Sequence, residues 1–112
     1  MKKEFYYITR IKDTLIQYCI PEQFTKFNDF ITHSECGAFF QEILTVCKIC
    51  SPIKIKPNAG VGRRFDCYDA DMRPFTVEFG IDNDSISVTN NGFSRRFFKK
   101  NNQLCFTQEV NN

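Results

Sequence analysis

Between Pro74 and Lys100 apolar and polar side chains take alternate positions, and this alternation predicts the element around which the chain is organised. Phe75, Val77, Phe79 and Ile81 are separated by Thr76, Glu78 and Gly80, the period-two pattern of a strand with one buried face. After the polar break Asp82-Asn83-Asp84 the pattern resumes at Ile86 and Val88. Asn91-Gly92 tolerates the positive φ angles of a tight hairpin turn, so the chain is expected to reverse into a further strand over 93–100. The product is a β-meander.

Upstream the period changes to three and four. Phe5, Ile8, Ile11, Leu15 and Cys19 predict a helix that ends before Pro21, with a strand over 5–11 as the competing reading because Tyr6-Tyr7-Ile8-Thr9 is rich in strand formers. Pro21 and Glu22 suit a first helical turn, and Phe24, Phe27, Phe30 and Ile31 predict a second helix near 22–32. Ser34 can cap a third helix with Phe39, Phe40, Ile43, Leu44 and Cys47 on its buried face, until Pro52 prevents continuation. Gly37 in its first turns counts against it. Ile53 and Ile55 alternate with Lys54 and Lys56 and predict a short strand. A loop over 57–62, a strand over 63–68, a turn over 69–73 and a last strand over 104–110 complete the pattern.

Helices followed by strands predict a single two-layer α+β domain over 1–112. Its N-terminal helices, about 4–50, would pack on one face of a C-terminal antiparallel β-meander of four to five strands, about 53–110. Phe75, Val77, Phe79, Ile81, Ile86 and Val88 should form the sheet side of the core, opposed by Phe27, Phe39, Ile43 and Leu44.

Composition strengthens the sheet reading. Thirteen Phe and four Tyr supply most of the bulky apolar volume, which suits pleated packing better than a helical bundle. No window approaches the 18 or more apolar residues of a membrane span. Met1-Lys2-Lys3 runs into Glu4 and Tyr6-Tyr7 rather than an apolar stretch, so a cytoplasmic protein without a membrane partner is expected. In that setting the six cysteines (Cys19, Cys36, Cys47, Cys50, Cys67 and Cys105) are expected as reduced thiols, several of them buried.

The formal net charge of +2 conceals an uneven layout. Residues 53–65 carry four basic side chains and no acidic one, residues 66–84 one basic against six acidic, and residues 85–112 four basic against one acidic. Such polarisation along the sheet half points to a charged partner surface.

Three constellations could carry chemistry. His33-x-x-Cys36 and Cys47-x-x-Cys50 offer the nitrogen and sulfur donors that tetrahedral zinc prefers. The residues between look helical, however, and a continuous helix would hold Cys36 and Cys47 roughly 16 Å apart. Buried or idle thiols are therefore the favoured reading, with no metal or other cofactor. Asp66, Asp69, Asp71, Glu78, Asp82 and Asp84 resemble a divalent-ion cluster, but Asp-Ala-Asp and Asp-Asn-Asp are also ordinary turn chemistry, and the turn reading is preferred. No Gly-x-Ser-x-Gly elbow or glycine-rich phosphate loop is present, and the lone His33 reads better as a capping or surface residue than as a base.

The basic set then remains: Lys54, Lys56, Arg63 and Arg64, followed by Arg95, Arg96, Phe98, Lys99 and Lys100. Arg95, Phe97 and Lys99 share one strand face, and Arg96, Phe98 and Lys100 the other. Aromatic rings interleaved with cations grip single-stranded nucleic acid by stacking and phosphate neutralisation, while lysines on an edge strand also guard against aggregation.

The order of elements over residues 22–100, helices and then a basic antiparallel sheet, resembles that of the RelE and ParE class of bacterial toxins. That resemblance would imply a metal-independent ribonuclease acting on ribosome-bound messenger. The preferred expectation is a small non-enzymatic binding protein, an inhibitor or immunity-type protein from a phage or other mobile element. It would dock on a protein or nucleoprotein, with RNA or DNA as a further candidate partner. The toxin is the first alternative and a small zinc-binding nucleic-acid module the second.

Overall fold

The computed structural model describes residues 3–8, 27–56, 63–80, 85–101 and 103–110. It contains strand β1 (Lys3–Tyr7), helices α1 (Phe27–Thr32) and α2 (Ser34–Val46), and strands β2 (Lys54–Ile55), β3 (Arg64–Tyr68), β4 (Pro74–Phe79), β5 (Ser85–Asn90), β6 (Phe93–Lys100) and β7 (Gln103–Val110). The fold is α+β, and its seven strands form one antiparallel sheet in the order β1-β7-β6-β5-β4-β3-β2. The radius of gyration is 13.2 Å, close to the value of about 13 Å expected of a compact chain of this length.

The sheet is larger than the expected four to five strands because β1 is added at one edge of the β3–β7 meander and the short β2 at the other. The helical stripe that begins at Phe5 is strand over its described part: β1 pairs with β7 from Lys3↔Glu109 to Tyr7↔Cys105, and the Ile8 amide donates to the Leu104 carbonyl. Steps of three and four fitted a helix, but a long-range edge supplied hydrogen bonds to a segment of strand formers. The remainder of that stripe and the start of the second helix, residues 9–26, lie outside the described residues, as do the loop over 57–62 and the break at 82–84.

The central meander follows its pattern. Asn91 and Gly92 have φ of 50° and 79°, the two positive values a type I′ hairpin requires, and Asn90 pairs directly with Phe93. Between β3 and β4 the Asp69 carboxylate accepts from the Asp71 and Arg73 amides, each at 2.9 Å. That buried Asp is turn chemistry in action.

Helix α2 starts one residue earlier than its expected cap. His33, not Ser34, is the N-cap, its Nδ1 accepting from the amides of Glu35 at 3.2 Å and Cys36 at 3.3 Å. Gly37 is needed here because a Cβ would stand 2.4 Å from the Ile31 carbonyl oxygen, so the residue that weakened the helix by propensity permits the close turn between α1 and α2. The helix ends well before Pro52, in a Schellman arrangement: Lys48 donates to Thr45 and Ile49 to Leu44, with Lys48 at φ 59°.

One hydrophobic cluster joins Phe30 of α1 and Cys36, Phe39, Phe40, Ile43 and Leu44 of α2 to one set of strand residues. The expected core positions Phe75, Val77, Ile86 and Val88 are buried, and Phe79 is partly buried. Phe97 and Leu104, absent from the expected core, are fully buried as well. Ile81 and the Phe27 side chain lie outside what is described.

Candidate binding surface

Alternate residues of a strand project to opposite faces, so the register assigns every strand side chain to one face or the other. Phe79, Ile86, Phe97, Phe106 and Tyr6 form one row across β4, β5, β6, β7 and β1, and this row belongs to the face that carries the core. The next residues along each strand build the second face. One of its rows runs Arg64, Glu78, Ser87, Arg96, Thr107 and Phe5; the next runs Ser85, Phe98, Cys105 and Tyr7.

At the β6-β7-β1 end of the second face three aromatic rings meet. Phe5 and Tyr7 stand edge to face with centroids 5.0 Å apart, and Phe5 reaches Phe98 at 6.2 Å. Strand β7 lies between β1 and β6, so Phe5 and Phe98 must lean towards each other over it, which its smaller Cys105 and Thr107 allow. This accounts for Cys105, which is fully buried although it belongs to the face away from the main core cluster. Its thiol donates to the Phe98 carbonyl at 3.4 Å, and burial raises its pKa while the Lys100 charge pulls it down. Phe5 and Tyr7 nevertheless remain 43% and 48% exposed.

Two cations sit over these rings. The Arg96 guanidinium lies 5.2 Å from the Phe98 centroid and the Lys100 ammonium 5.3 Å from that of Phe5, both within cation–π range. A ring under a cation restricts where that long side chain can go, so part of the cost of ordering it for a partner is met in advance. Beside the patch, Arg64, Thr76, Glu78, Ser87, Thr89 and Ser94 line a shallow polar depression of about 260 Å³.

The remaining basic residues are distributed differently. Arg95 is on the core-bearing face: its Nε donates to Gln108 Oε1 at 2.7 Å and its Nη1 to Asn90 Oδ1 at 3.1 Å. The buried Asn90 donates in turn to the Cys47 carbonyl at 2.9 Å. The guanidinium therefore braces the C-terminal end of α2, where the helix dipole favours a cation. Lys99 is exposed on that same face, opposite Leu104. Lys54 and Arg64 belong to the second face but to β2 and β3, and Lys56 follows β2 directly. Arg63 precedes β3 and donates to the Phe79 carbonyl. Because β4 and β5 separate β3 from β6, the two basic clusters stand about 14 Å apart. Glu78 of β4 lies between them on the same face, and Asp66, next to Arg64 along β3, pairs with it at 3.6 Å.

The His33, Cys36, Cys47 and Cys50 set is not brought together by α2. Cys36 is in its first turn and Cys47 at its C-cap, with the intact helix between, and the His33 imidazole accepts two amides. Burial pushes the Cys36 thiol up to about 11 and the Cys47 thiol to about 12, the latter against the pull of Arg95. Cys50 is exposed, its pKa raised by Asp71 first of all. Among the described residues no three His, Cys, Asp or Glu side chains gather as metal ligands.

Phe5 and Tyr7 are the patch residues that reading the sequence missed. Their signal was the strand alternative for 5–11, in which both fall on one face; assigning Phe5 to a helical stripe hid it. Compared with family models, with curated proteins and with solved structures, the chain matches none.

Proposed function

We propose that the chain is a non-enzymatic binding protein, inhibitor or immunity-type in role, that docks on a negatively charged protein or nucleoprotein through the second face of its sheet. In this reading the helices form a single layer over the core-bearing face, and a cytoplasmic protein uses the other face for recognition. The observation that carries the proposal is the patch of Phe5, Tyr7 and Phe98 under Arg96 and Lys100: exposed aromatic area next to two positioned cations. Aromatic and arginine side chains at the centre of a contact supply most of its affinity, while surrounding charge sets the association rate. Glu78 and Asp66, farther along the same face, would fix the orientation of the partner by repelling its negative surface there.

The test is a quantitative pull-down from the source cells with the wild type and with the double variant Arg96→Glu/Lys100→Glu. A partner retained by the first, lost by the second and released by moderate salt supports docking through this patch. Retention indifferent to the double reversal removes the patch from the interface. Cleavage of RNA by the purified wild type, abolished in the same variant, would instead support a ribonuclease.

A further inference from the structure

We infer that the occupant of the Phe5, Tyr7, Phe98, Arg96 and Lys100 patch is single-stranded nucleic acid, its bases stacked on the rings and its phosphates held by the two cations. This rests on the docking reading above and names its partner. Three features of the patch select that chemistry. Phe5 and Tyr7 are nearly half exposed and stand edge to face, with the part-buried Phe98 next to Phe5, so apolar ring surface is offered to solvent. Arg96 lies over Phe98 and Lys100 over Phe5, each within 5.3 Å of the ring centroid, so two of the three rings carry a phosphate site, and a base stacking there takes the ring face while its phosphate holds the displaced cation at the rim. Over the small side chains of β7 the Phe5 and Phe98 rings approach to 6.2 Å, so the aromatic surface runs from β1 to β6 without a gap.

Other occupants fit less well. A second copy would bring two further cations against Arg96 and Lys100, which like-charge repulsion opposes. An acidic protein surface would answer both cations but would desolvate its carboxylates against phenyl faces. A nucleic-acid strand avoids this conflict because the apolar base and the charged phosphate are separate groups on a flexible chain. A duplex hides its base faces and can use only the cations. The preference is therefore for single strands, tolerant of sequence, because every base has a π face.

Fluorescence anisotropy tests this with labelled oligouridylate and oligothymidylate of about a dozen nucleotides and a duplex of matched length. Both single strands should bind, and the duplex about tenfold more weakly or worse. Two phosphate contacts predict a slope of log K against log salt of about −1.4, reduced by about 0.7 in Lys100→Gln. Phe5→Leu and Tyr7→Leu keep apolar cover over Cys105, so the melting temperature should hold while affinity falls about tenfold for each. Binding of the RNA strand alone would support the inference and assign the source through a 2′-hydroxyl contact. No binding of either strand at low salt, equal binding of the duplex, or indifference to both leucine substitutions overturns it. If a partner sensitive to Arg96→Glu/Lys100→Glu still binds after nuclease digestion, docking stands and nucleic acid is rejected. If no such partner exists either, both readings fall.

Discussion

Strand β6 carries the same alternation twice, Arg95-Phe97-Lys99 on one face and Arg96-Phe98-Lys100 on the other, and the two sets are put to different uses. Phe97 has no exposed surface and packs 5.1 Å from Phe106 in the core, whereas Phe98 is half-buried beneath Arg96. Arg95 is spent on Gln108 and on Asn90, which holds the end of α2; Arg96 is exposed on the candidate binding surface. Identical residue types one position apart thus separate into core support and candidate binding surface. What decides between them is which face meets the helices' buried side chains.

Substitutions on the two faces should therefore differ most where burial differs most. Phe97→Ala opens a cavity in the core and should cost about 3–5 kcal/mol, enough to leave little folded protein, whereas Phe98→Ala should cost about 1–2 kcal/mol. Urea denaturation of both variants measures this, and equal losses would erase the distinction. Arg95→Ala strands the Asn90 side-chain oxygen and loosens the α2 end at about 1–3 kcal/mol, while Arg96→Ala should stay within about 0.5 kcal/mol of the wild type.

The thiols on the core side provide a pH test. Cys36, Cys47 and Cys67 are raised from 9.0 to about 11, 12 and 12 by burial, so the folded state holds them neutral after the unfolded chain has begun to ionise. Their contribution is fully present below about pH 9 and is lost as the pH rises towards 11–12. Melting temperature should fall over that window, less steeply in Cys47→Ala once its neutral-pH loss is subtracted. An unchanged slope would mean that Cys47 is not shielded. The smallest effect should come from Arg96→Glu/Lys100→Glu, whose melting temperature should lie close to that of the wild type because exposed charges add little stability. A large drop would show that the cation–π pairs hold β1 in the sheet rather than serving recognition.

Elements built from local signals were legible in the sequence. The alternation over 74–81, the Asn91-Gly92 hairpin and the stripe of α2 each depend on residues close in the chain, and each is present in its described part. The candidate patch was half legible: the cations and Phe98 stood out on β6, but their aromatic partners are separated from them by most of the chain.

By itself, then, the order of residues determined the α+β class, the meander, most of its core positions and the alternating cations of β6, because strand period and turn chemistry act over a few residues. It also determined that Asp69 would shape a turn. Only the tertiary structure decided that Phe5 to Tyr7 would be strand, since isolated propensities were close and hydrogen bonds from β7, about a hundred residues away, settled the balance. The same pairing brought Phe5 and Tyr7 beside Phe98, and membership of the core cluster shared with the helices chose which half of β6 became interior. Both decisions require long-range contact, for which a reading of local period has no term.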